Sequence, residues 1–110
     1  MDEPDLDIAV NEVPDGIVLT VDGDLDHRTS VQLARRAADI LTTRRPRRLH
    51  VDLAGVSHFG SGAVAAMIAI HTAATRLNVP VEFTRVPDFA RRIIAISGVD
   101  DFLGIRPGTT

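Results

Sequence analysis

Two glycines bracketing a serine, Gly60-Ser61-Gly62, separate an alternating apolar segment from a run of small apolar residues at helical spacing. Three roles compete for such a spot. Glycine N–H groups at a helix start cradle a phosphate, a serine presented there acts as a nucleophile, or the residues only turn the chain. For phosphate, Gly60-Ser61-Gly62-Ala63-Val64-Ala65 fits the dinucleotide pattern G-x-G-x-x-A, and Glu82 lies at the distance where a ribose-binding acid is wanted. That fingerprint requires its first glycine directly after the strand, however, and residues 54–59 intervene. Glu82, between Val81 and Phe83, reads as a strand-interior residue, and 110 residues leave little room for a second nucleotide-binding half. For nucleophilic chemistry Ser61 needs a base, and His27, His50, His58 and His71 are the candidates. No G-x-S-x-G elbow is present, since Phe59 stands where its first glycine belongs, and three of the histidines fall in or beside apolar segments. No two histidines sit at i, i+3 or i, i+4, so no metal site is expected. Arg44-Arg45-Pro46-Arg47-Arg48 can touch phosphate but reads as a solvated connection. Ser61 is left as an expected helix N-cap, with the glycines allowing close approach by another chain.

Composition narrows the class. A net charge of −3 gives no general attraction to nucleic acid or anionic membrane. Without cysteine there is no disulfide framework and no thiolate chemistry. No apolar run reaches the roughly 20 residues of a membrane span, and the acidic N-terminus lacks the basic region of a secretory signal, so a cytoplasmic location is expected.

The elements that must position the Gly-Ser-Gly turn follow from periodicity. Runs 8–13 and 17–21, joined by Pro14-Asp15-Gly16, predict an antiparallel hairpin. Apolar residues from Val31 to Leu41 at helical spacing predict a first helix capped by Thr29 or Ser30 and ended before Pro46. Residues 49–53 alternate as a strand, a second helix starts at Gly60 and stops near Pro80, and 81–86 form another strand. Pro87 suits the first position of a third helix that closes at Ser97-Gly98, and 102–105 form a last short segment. The fold class is therefore α/β: a small mixed sheet of four to five strands, opened by an N-terminal hairpin and covered by about four helices. One domain spans 1–110, with ends 1–5 and 106–110 expected to be mobile.

Against that background, Leu49 to Val64 resembles the central signature of STAS domains, the family of bacterial anti-sigma factor antagonists. There a strand ending Asp-Leu-Ser-Gly-Val leads to Asp-Ser-Ser/Thr-Gly-Leu at a helix start, and Asp52, Leu53, Gly55, Val56 and Ser61 match in place. Gly23-Asp24-Leu25-Asp26 is similar to the family's Gly-Glu-Leu-Asp segment, and residues 90–103 resemble its C-terminal pattern of a basic pair, paired apolars, Gly-Val-Asp and a final aromatic.

The resemblance implies a non-enzymatic interaction domain without cofactor. It binds a serine-kinase-type anti-sigma factor and is released when that partner phosphorylates a Ser or Thr at the helix start. Asp24, His27, Arg28, Gly60, Ser61, Gly62 and Val64 are the expected contacts, and a weak homodimer is compatible with the chain. Gly62 is expected near the surface, so that Gly62→Arg would block the partner and spare the fold. The working position departs from the family. Without a gap, Gly60 replaces the family Asp and Gly62 takes the phosphoacceptor position; with one residue deleted, Ser61 becomes the acceptor. The ungapped alignment is preferred because it keeps the spacing on both sides, and it implies an atypical or lost phospho-switch. The alternative function is a nucleotide-binding STAS module using the same turn.

Overall fold

Alternating side chains set one buried face for the sheet. In the computed structural model, which describes residues 6–105, strand β1 (Leu6–Val13) and strand β2 (Gly16–Leu25) form the opening hairpin. The mobile ends expected from the sequence lie outside the described residues. Helix α1 (His27–Arg44), β3 (Leu49–Phe59), α2 (Ser61–Arg76), β4 (Val81–Thr84), α3 (Asp88–Ile96) and α4 (Asp100–Leu103) follow.

The sheet has the order β1-β2-β3-β4. β1 pairs antiparallel with β2, and β2–β3 and β3–β4 are parallel. Register places Ile17 beside Leu49 and Leu19 beside Val51. These four residues, with Val21 and Leu53, are buried, whereas Asp7, Ala9 and Asn11 of β1 are exposed. α1 packs on β2 and along α2, and α2 reaches β4, so the apolar faces close over Leu33, Leu41, Met67 and Ile70. His71 of α2 meets Phe102 of α4 at a ring separation of 4.5 Å.

The element order matches expectation, but several boundaries do not. β2 runs on to Leu25 and β3 to Phe59 because the two strands stay paired as far as Leu25 and Phe59, with register shifts after Thr20 and Gly23. Such bulges hide the two-residue period from a reader of the sequence. β4 stops at Thr84 because Arg85 adopts φ 51°, a left-handed conformation that ends the strand. Pro87 is the residue before α3, not its first, and the last segment forms α4 from Asp100, closed by Gly104 at φ 70°. β4 pairs only with residues 49–52 of β3.

Candidate functional site

The end of β2 and the start of α1 are fixed to each other by one buried threonine. Asp26, not Thr29 or Ser30, is the N-cap of α1; its carboxylate accepts from the Thr29 N–H at 2.8 Å, and the Thr29 hydroxyl oxygen accepts from the Asp26 N–H at 2.9 Å. Thr29 also donates to the Asp24 carbonyl at 2.6 Å. The N–H and hydroxyl of Thr29 hold the Asp26 carboxyl below the usual carboxylate range; burial opposes them, and the Arg28 N–H and the charge of His58 add less. Asp-x-x-Thr is a legible capping-box spacing, and it is the signal that points to Asp26.

The second half of the site docks on this corner. Gly60 donates its N–H to the Leu25 carbonyl at 2.7 Å, which brings the exit of β3 against the exit of β2. Gly60 is the N-cap of α2, with no side-chain hydrogen bond to close the helix, and Ser61 is its first residue. Ser61 is thus not the cap expected from the sequence. A Cβ on Gly60 would lie 2.9 Å from the Leu25 oxygen, and one on Gly62 would lie 3.2 Å from the His27 Cα. Gly62 is half-buried, near the surface but where two helix starts touch, so the expectation that Gly62→Arg would spare the fold is corrected.

The remaining candidates fall around this contact. Asp24 is exposed and accepts from the Ser57 hydroxyl at 2.7 Å; sequence reasoning did not single out Ser57. His27 and Arg28 are the first, exposed residues of α1. Val64, one turn into α2, is partly buried and packs on the core. Asp24, His27, Arg28, Gly60, Ser61 and Gly62 therefore lie at one end of the sheet, with Val64 facing inward more than outward.

Two points bear on the nucleotide alternative. β3 continues to Phe59, so Gly60 does follow its strand directly, and that objection to the fingerprint falls. Glu82, however, pairs with His50, ten residues before Gly60, which sets it on the order of 30 Å away along β3. It cannot meet a ribose whose phosphates lie at Gly60. No group of three or more His, Cys, Asp or Glu among the described residues is arranged to hold a metal, and none of the helices described is long and apolar enough to cross a membrane.

A family model described as "Mlab, STAS domain" matches residues 8–106. The chain is a STAS domain. Among solved structures, an anti-sigma factor antagonist from Mycobacterium paratuberculosis superposes with a TM-score of 0.78 at 20% identity, covering 98% of this chain and 92% of that one. RsbS of Moorella thermoacetica, with a serine-to-glutamate substitution, gives 0.74 at 17% identity, covering 94% of this chain and 86% of that one. The Bacillus cell fate determinant SpoIIAA in its phosphorylated form gives 0.69 at 13% identity, covering 94% of this chain and 92% of that one. No curated protein matches the chain. At these identities the likeness to solved structures establishes the fold, and this STAS domain shares the mixed four-stranded architecture of anti-sigma factor antagonists.

Proposed function

We propose that this STAS domain is a non-enzymatic anti-sigma factor antagonist of the cytoplasm, which binds a serine-kinase-type anti-sigma factor and so frees a sigma factor. The observation that carries the reading is the corner itself. Backbone of two helix starts, at His27 and at Gly60 to Gly62, lies in contact with no large side chain between them. A partner can approach such a surface closely, with Asp24, His27 and Arg28 as its polar edge.

A phosphate on this corner carries roughly −1.5 to −2 charge and would repel a closely packed partner. In the ungapped alignment no hydroxyl stands at the acceptor position, Gly62. Capture is then constitutive and set by abundance or by the partner's own signal. Titration of the purified domain with serine-kinase-type anti-sigma factors of its source, and separately with common nucleotides, tests the reading; tight nucleotide binding without any protein partner would replace it with the nucleotide-sensing alternative. Incubation with the captured kinase and ATP, followed by phosphate mapping, tests the switch. Stoichiometric phosphate on Ser61, abolished by Ser61→Ala and coupled to release, would show that the switch is intact.

A further inference from the structure

Between α1 and α2 the surface holds an open groove of about 380 Å³, within the range of small-molecule sites. It runs along α1 from His27 to Ala38 and along α2 from Gly62 to Ala69, about 16 and 10 Å of helix. Its walls are mostly small and apolar. Ala34, Ala38, Ala65 and Ala69 leave the channel between the helices open, and Val31 at its lip is 45% exposed, a large apolar side chain left in water.

Polarity is confined to one stretch of this channel. Ser30 is 2% exposed, and while its N–H donates to the Asp26 carbonyl at 3.0 Å, its hydroxyl has no partner. A Cβ placed on Gly62 would lie 3.6 Å from that hydroxyl, which sets it between the two helix starts where it lines the groove. A buried hydroxyl in this condition costs stability until something supplies its partner. Arg35 brings the groove a full positive charge and has no ion pair or hydrogen bond among the described residues, although Asp7 and Asp39 border its other side. A helical side chain leans back over the turn before it, which carries the guanidinium towards Ser30. Among the described residues no Asp or Glu lines the groove.

These features select the ligand. A nucleotide or an extended peptide would bury polar groups along its whole length against alanine, without partners. A docked helix has its carbonyls bonded internally and offers Ser30 no main-chain acceptor. A single acyl chain needs only apolar contact along its length, and a carboxylate at its end is anionic and accepts only, which answers Ser30 and Arg35 together. α2 also starts at Gly60 without a side-chain cap, so the positive end of its dipole favours an anion at that end of the groove.

We propose that the α1–α2 groove binds a fatty acid, its carboxylate held between Ser30 and Arg35 and its chain lying along Ala34, Ala65 and Ala69. This inference does not depend on the anti-sigma reading.

Calorimetric titration of the full chain with dodecanoate, and with dodecanol as the same tail without the charge, is the test. Dodecanoate is expected to bind one to one and more tightly than dodecanol. Ser30→Ala removes only the hydroxyl; it should leave the melting temperature of the ligand-free chain unchanged or raised, because a buried unpaired group is lost, yet weaken dodecanoate about tenfold. Arg35→Gln should weaken dodecanoate about threefold and leave dodecanol unchanged. Ala65→Trp, at an exposed position, fills the groove and should abolish binding of both, with thermal melting showing the variant folded. No binding at millimolar dodecanoate, equal affinity for dodecanol, or undiminished dodecanoate affinity in any of the three variants would each overturn the proposal.

Discussion

Asp52 is the buried acid on which residue-scale stability turns. Only 9% of its side chain is exposed, and burial alone would raise its pKa. The bonds from the Arg85 guanidinium, including Nε to Oδ1 at 3.2 Å, the Ala54 N–H at 3.0 Å and the charge of Arg85 reverse that and hold the carboxyl below its ordinary range. A depressed folded-state pKa contributes stability that is present above the unfolded value, about 4, and is lost as pH falls through the folded value. Thermal melting from neutral to acid pH should therefore fall below about pH 4. Asp52→Asn should remove part of that acid dependence and cost about 1–2 kcal/mol at neutral pH. Gly62 makes a second case. His27, whose Cα would crowd a new Cβ, is held by the capping box and cannot yield readily. Gly62→Ala should thus lower the melting temperature despite alanine's better helix propensity, and Gly62→Arg should lower it further. Binding loss in either variant must be read beside its melting curve, whereas His27→Ala and Arg28→Ala, at exposed positions, report on the partner more directly.

Elements were legible where period and punctuation agreed. Pro14-Asp15-Gly16 marks the hairpin, the apolar spacing from Val31 to Leu41 marks α1, and Pro80 and Pro87 bracket β4. Their ends were less legible because they depend on partners distant in sequence. Residues 54–59 carry Ala, Gly, Ser and His in place of an apolar alternation, and they are strand only because β2 continues beside them across two bulges. The site inherited this error: with β3 read short, Gly60 looked detached from its strand and Ser61 looked like a cap. The family signature still located the corner, since Asp52 to Val56 fix the strand whatever its length. Thr29 shows what the pattern could not disclose, a side chain assigned to capping that ties the Asp26 N–H and the Asp24 carbonyl together from a fully buried place. Thr29→Val keeps the shape but leaves the Asp26 N–H and Asp24 carbonyl without this partner. It should cost about 1–3 kcal/mol in denaturant unfolding and weaken capture of the proposed partner by loosening His27 and Arg28.

At the scale of the molecule, the pairing of β3 is uneven. Its first four residues lie between two strands, while from Leu53 to Phe59 only β2 pairs with it. Opening of a protein is local before it is global, and the free energy of each opening follows how much structure must be broken. Amide hydrogen exchange should then grade along this one strand: slowest for residues 49–52, near the rate of global unfolding, and faster towards Phe59. Uniform protection from end to end would refute the gradient. The corner at Gly60 is therefore carried on the less protected end of a well-anchored strand. Small rearrangements there can proceed without disturbing the anchored half, so that a bound partner should slow exchange at residues 57–62 while leaving residues 49–52 unchanged.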